Sequence, residues 1–214
     1  PLNVDSMSSL HALSLVAGEL GVCAPLAIRV NPDVGAGGHD KISTGKGDTK
    51  FGVSIESAIA LYARAHADPH LAPKGLAVHI GSQIKDLAPL RAAFSTLRAL
   101  AERLRADGLP LERLDLGGGL GVPYFDEPDP PSPAEYAAMV NQVMQGFDVE
   151  LAFEPGRMIA ANACVLLARV IRIQDRPRPI LVLDGGLNDL IRPAMYDAFH
   201  EIRPVRQAQA PAKG

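Results

Sequence analysis

The groups in this sequence best suited to chemistry are an imidazole, a carboxylate and a guanidinium: His79, Glu154 and Arg157. Each follows an apolar run, within GLAVHIGSQ (75–83) and VELAFEPGR (149–157). A third run, RLDLGGGLG (113–121), ends in Gly117, Gly118 and Gly119. An α/β barrel gathers the carboxyl ends of its strands on one face, where catalysis and phosphate binding are housed. A glycine run after one strand, then Glu and Arg after the next, points to a phosphate-bearing cofactor with an acid beside it.

Each group has a plainer reading beside the chemical one. GGGLG has the spacing GxGxG and not GxGxxG, and Pro123 sits where a helix should start. No acidic residue closes a following βα unit as dinucleotide binding requires. The glycines are therefore either a tight turn or a backbone-amide cradle, in which missing Cβ atoms let N–H groups approach a phosphate. Glu154 either pairs with Arg157 or meets a protonated ligand nitrogen. Its place one barrel unit after the glycine run favours the ligand. Arg157 can hold a phosphate or carboxylate with two parallel hydrogen bonds. His79 could be a core histidine, or its flat ring could stack on an aromatic cofactor. The other histidines (His11, His39, His66, His70, His200) have no metal-ligand spacing, and no metal is expected.

The elements that must position these groups follow a strand-helix rhythm. LNVDS reads as the end of a strand. Residues 8–20 read as a helix, with Leu10, Leu13, Ala17 and Leu20 on one stripe and Gly21 as the stop. APLAIRVNPD (24–33) has the unbroken apolar character of a parallel strand buried on both faces. A Gly-rich loop over 34–52 is long enough to suggest function. A helix over 54–67 leads to the strand ending at His79. Leu90, Phe94, Leu97, Ala101 and Leu104 mark an amphipathic helix closed by Gly108 and Pro110. Ser132, Pro133 and Glu135 predict a capping box that starts a helix with Tyr136, Met139, Val140 and Val143 inward. Beyond Arg157 the pattern changes: 164–173 and 179–186 predict an antiparallel hairpin.

This succession argues for an α/β fold with a parallel sheet; a doubly wound sheet would read much like a barrel here. At 214 residues and 47% hydrophobic content the chain has ample material for a core. The net charge of −3 gives no reason to expect nucleic acid or a membrane surface. Isolated Cys23 and Cys164 suggest reduced thiols and a cytoplasmic setting. Pro1 is no initiator methionine, and 207–214 reads as a disordered tail, so an internal piece of a longer protein is expected.

Taken together, HIGSQ, LDLGGGLG, FEPGR and VNPDV…HDKISTG…KFG resemble the diaminopimelate decarboxylases, from about residue 2 to 206. HIGS, GGG and EPGR are shared with ornithine and arginine decarboxylases, whereas the ISTG loop and NDLIRPAMY are the narrower markers. The resemblance implies the C-terminal half of a (β/α)8 barrel of the alanine-racemase type, strands 4 or 5 through 8. It implies a partial cofactor-binding barrel over 1–160, running into the start of an all-β domain over 161–206.

What the resemblance implies for chemistry is pyridoxal 5'-phosphate at the mouth of the barrel. His79 would lie against the pyridine ring. Ser82 and the glycine run, chiefly the backbone at Gly119, with Glu154-Pro155-Gly156-Arg157, would hold the phosphate. Glu154 would also keep the pyridine nitrogen protonated, making the ring an electron sink. Arg157, Arg192 and Tyr196 match positions that grip the carboxylates of an amino-acid substrate, and Arg29 supports the site from behind. The expected reaction is decarboxylation of meso-2,6-diaminopimelate to L-lysine and CO2 by a parent homodimer that completes the site across its interface. An ornithine- or arginine-type decarboxylase, a racemase of the same fold, or a non-catalytic binding homologue are the alternatives. The six lysines (Lys41, Lys46, Lys50, Lys74, Lys85, Lys213) read as loop, helix-edge or tail residues, and none matches the family's cofactor lysine. The piece alone is therefore expected to be inactive.

Overall fold

A computed structural model describes residues 1–35, 51–124 and 128–206. The expected ISTG loop and the 207–214 tail lie outside the described residues. The chain divides into two compact units, Pro1–Val122 with Asp129–Cys164, and Pro123–Pro128 with Val165–Gly214.

The first unit is built on a five-stranded parallel sheet in sequential order. Its strands are β1 (Leu2–Val4), β2 (Ala24–Val30), β3 (Leu71–Val78), β4 (Arg113–Asp115) and β5 (Glu150–Ala152). The helices between them are α1 (Met7–Leu20), α2 (Ile55–Ala67), α3 (Leu87–Ala106) and α4 (Pro133–Met144). All strands run parallel, so their carboxyl ends share one rim, and β1 and β5 are free edges among the described residues.

Local chemistry sets the helix limits. Ser132 and Glu135 form the capping box at α4, with Pro133 in its first turn. Helix α1 ends at Gly21, whose left-handed φ of 64° suits glycine. Leu90, Phe94, Leu97, Ala101 and Leu104 of α3 are all buried in one core with Leu26, Ile28 and Leu76 of the sheet. Each of the leucine, isoleucine and phenylalanine side chains contributes roughly 1.5–3 kcal/mol by leaving water.

Four expectations need correction. Leu20 continues the α1 stripe by period but is 70% exposed, because the last turn of α1 reaches no described partner. Strand β2 stops at Val30, since the Asn31 side chain accepts the Asp33 N–H (3.0 Å) and turns the chain at Asp33, φ 56°. Strand β4 ends at Asp115, before Gly117 turns to φ 66°. Lys74 lies within β3, which begins at Leu71, and pairs with Glu112 (2.8 Å).

After the short helix α5 (Gly156–Ala160) the first unit ends. The second unit carries an antiparallel hairpin of β6 (Val170–Gln174) and β7 (Ile180–Leu183), shorter than its apolar pattern suggests. Helix α6 (Arg192–Tyr196) follows. No described residue from 165 to 206 is fully buried, so this unit has no core of its own.

Candidate active site at the strand ends

The ends of β3, β4 and β5 are stitched together by their own main chains. The Glu154 N–H donates to the Gly117 carbonyl (2.8 Å), and the Ile84 N–H to that of Gly119 (2.8 Å). Gln83, in the left-handed region at φ 57°, bonds both main-chain groups of Val122 through its side-chain amide. This rim fixes the loops that carry the candidate groups.

The glycines are explained first by packing. A Cβ at Gly117 would strike the Val78 carbonyl, one at Gly118 the Glu154 carbonyl, and one at Gly119 the Gly81 carbonyl. Two of the three amides are already engaged. Gly117 N–H donates to Asp115 Oδ1 (2.9 Å), and Gly118 N–H donates to His79 Nδ1 (3.2 Å). The Gly119 N–H is bonded to no described acceptor. The run is thus a close-packed turn with one amide bonded to no described acceptor, where the sequence left turn and cradle as alternatives.

Accepting that bond leaves Nδ1 of His79 without a proton, so the neutral ring carries its proton on Nε2. Burial, and next the Arg29 charge, push the His79 pKa below the usual histidine value, with Asp115 acting against them. His79 lines a cavity of about 250 Å³ with Asn3, Arg29, Asp115 and Glu154. Glu154 remains exposed on the rim, but partial desolvation and then the Asp115 charge raise its pKa from the usual carboxylate value, while Arg29 pulls it down. The arginine is itself set by Phe51, whose ring centroid lies 5.1 Å from the guanidinium carbon.

Arg157 Nη2 donates to Ser82 Oγ (3.2 Å), joining the end of the β3 loop to the start of α5. The charges acting on Glu154 come from Asp115 and Arg29, and the reading of Glu154 as partner of Arg157 gains no support. His79, Ser82, Gly117, Gly118, Gly119, Glu154, Pro155, Gly156 and Arg157 therefore gather on one rim of the first unit. Arg192 and Tyr196 belong to the second unit, both on α6.

Sequence reasoning missed Asp115, Asn3 and Gln83. Only Asp115 left a signal, as the acid that interrupts the apolar run LDL just before the glycines. A separate cavity of about 470 Å³ lies against α4 and β5, lined by Tyr136, Val140, Leu151, Phe153 and Met158. No acidic or basic side chain lines it, whereas His79, Asp115, Glu154 and Arg29 all line the smaller cavity.

Residues 1–161 match the family described as "Pyridoxal-dependent decarboxylase, pyridoxal binding domain". The chain is 47% identical over 205 residues to a diaminopimelate decarboxylase of Zymomonas mobilis, covering 95% of the chain and 49% of that protein. It is also 47% identical over 213 residues to one of Vibrio cholerae, covering 99% and 51%. Diaminopimelate decarboxylase from Helicobacter pylori, solved with L-lysine, superposes with a TM-score of 0.90 at 35% identity. That match covers 97% of the chain and 52% of the solved one. A lysine/ornithine decarboxylase from Vibrio vulnificus, complexed with putrescine, gives 0.71 at 26% identity, covering 91% and 49%. The chain thus spans about half the length of the curated relatives it matches.

The donor set fits a phosphorylated pyridine. A hydroxyl, a guanidinium and an open amide (Ser82, Arg157, Gly119) suit a phosphate. A neutral imidazole and a carboxylate facing one cavity suit a flat ring with a basic nitrogen.

Proposed function

This chain belongs to the pyridoxal-dependent decarboxylase family, and we propose on that footing that its parent protein decarboxylates meso-2,6-diaminopimelate to L-lysine and CO2. The chain supplies the C-terminal half of a (β/α)8 barrel, over 1–160, and the opening of an all-β domain, over 161–206. The hairpin without a core of its own and the free edges of β1 and β5 support that reading. The parent is read as a cytoplasmic homodimer whose partner subunit completes the site.

The observation that carries the proposal is the shared polar cavity lined by His79, Glu154, Asp115 and Arg29, with Ser82 and Arg157 joined in the loops that follow the same strands. Pyridoxal phosphate, when bound, supplies the sink for the electron pair left on Cα as CO2 departs. Ser82 Oγ, the Arg157 guanidinium and the Gly119 N–H would hold the phosphate. The His79 ring, oriented by the Gly118 amide, would offer its face to the pyridine. Glu154 would hold a proton at the pyridine nitrogen; desolvation and then the Asp115 charge raise its pKa, with the Arg29 charge opposing them. Arg157, Arg192 and Tyr196 bind the substrate's carboxylates. The remote carboxylate distinguishes diaminopimelate from ornithine, and a cationic clamp rewards it.

The test is a comparison of kcat/KM for meso-diaminopimelate, ornithine and arginine with the full-length protein loaded with pyridoxal phosphate. Preference for diaminopimelate by about 100-fold or more supports the proposal, since buried polar groups discriminate strongly against a ligand that leaves them unpaired. Equal or better turnover of ornithine contradicts it.

A further inference from the structure

The second unit contains an arginine, Arg192, whose charge is answered by no acid among the described residues. Arg192 places one nitrogen, Nη1, against two neutral acceptors, Tyr124 Oη at 3.0 Å and His200 Nε2 at 3.2 Å. Its guanidinium carbon also lies 5.5 Å from the centroid of the Tyr124 ring. No described residue bonds its Nε or Nη2, and no described carboxylate forms an ion pair with it.

Arginine donors are fixed in a planar fork, so holding one nitrogen and the ring plane aims the others. A neutral phenol does this without spending the positive charge, which a carboxylate partner would neutralise. His200 can accept from Nη1 only through an unprotonated Nε2, and the Arg192 charge, after burial, lowers its pKa. The two contacts hold the fork and leave its charge for an anion.

We propose that Tyr124 is a positioning residue that orients Arg192 to receive the remote carboxylate of the substrate. The inference rests on the reading of Arg192 given above. It assigns a role to Tyr124, in the segment just after the glycine run, that neither the motifs nor the comparisons supply. Tyr124 itself need not touch the ligand. Its hydroxyl and ring fix the orientation of the group that does.

The experiment uses the full-length, cofactor-loaded protein with Tyr124→Phe, Tyr124→Leu and Arg192→Lys. Steady-state kinetics are measured with meso-diaminopimelate, and competitive inhibition with pimelate, a dicarboxylate lacking both amino groups. Loss of one hydrogen bond to a charged group is expected to raise KM and the pimelate inhibition constant about 10-fold in Tyr124→Phe. Tyr124→Leu, which also loses the ring face, is expected to go further. In both, kcat and the cofactor's absorbance spectrum stay within about twofold of the parent, as a loss of uniform binding requires. Parent-like KM and pimelate inhibition in both Tyr124 variants, with Arg192→Lys impaired, overturns the role of Tyr124 and leaves that of Arg192 standing. Arg192→Lys with unchanged pimelate inhibition overturns the reading of Arg192 itself. A fall in kcat with an altered cofactor spectrum in Tyr124→Phe also refutes the proposal, because it places Tyr124 at the ring and not at the remote carboxylate.

Discussion

The main chain of Gly118 lies so close to the Glu154 carbonyl oxygen that no Cβ fits between them. This contact ties the end of β4 to the residue at the end of β5 that is proposed to act on the cofactor. Gly118→Ala must therefore move backbone, and overpacking of this kind costs about 1–3 kcal/mol. Gly156→Ala is the control, because a Cβ there meets nothing within 4 Å and its φ is not positive. Thermal melts of the full-length variants should show Gly118→Ala well below the parent and Gly156→Ala close to it. Equal melting temperatures would remove the packing account of the glycine run.

Ser82 and Arg157 offer their donors together. Ser82→Ala is expected to weaken pyridoxal phosphate binding by about 10-fold, the usual effect of losing one bond to a charged group. Titration of the apo full-length protein with cofactor, followed by absorbance, reads the change. An unaltered dissociation constant would take Ser82 out of the phosphate site.

Asp115 faces Glu154 across the polar cavity and raises its pKa, after burial. Asp115→Asn keeps an oxygen for the Gly117 N–H and removes the like charge. The Glu154 pKa should fall in this variant, as carboxyl-carbon NMR titration would show, while Glu154→Gln should lower kcat/KM by about 100-fold or more. An unchanged Glu154 titration in Asp115→Asn would mean that the two carboxylates do not sense each other.

His79 gives a pH signature. Its folded-state pKa is depressed, so at pH values above the ordinary histidine value, about 6.5, both folded and unfolded forms are neutral. As pH falls below that, the unfolded chain takes up the proton first, and folded stability declines until the depressed value is passed. His79→Gln should flatten this acid-side decline in melts of the full-length protein between about pH 7.5 and 5. A slope identical in parent and variant would rule out a neutral, half-buried His79.

How far the sequence spoke can be judged residue by residue. Period and capping chemistry are local, so α3 buries every residue of its expected stripe, and Ser132 with Glu135 opens α4 as anticipated. The gathering of His79, the glycines, Glu154 and Arg157 was legible because parallel strands place their carboxyl ends on one rim. Asp115, Asn3 and Gln83 were not, since their roles depend on cross-strand neighbours that no local pattern encodes. Leu20 misled for a related reason: the period continues past the point where a partner exists. The dual nature of the glycines shows only in three dimensions, because a packing contact and an open amide both ask for glycine.

The separated piece offers another check. The parallel sheet has unpaired edges at β1 and β5, and the second unit buries nothing fully. Open edges and an uncovered core layer favour self-association over a single folded state. The isolated 214-residue polypeptide is expected to be aggregation-prone and to release no CO2 from diaminopimelate. Measurable decarboxylation by it would contradict the half-barrel reading.

The most direct trial of the whole account is a crystal structure of the full-length protein with pyridoxal phosphate bound. The phosphate should lie against Ser82, Gly119 and Arg157, the ring against His79, and the pyridine nitrogen within about 3 Å of a Glu154 oxygen. A cofactor found elsewhere on the barrel, or one whose nitrogen faces away from Glu154, would contradict it.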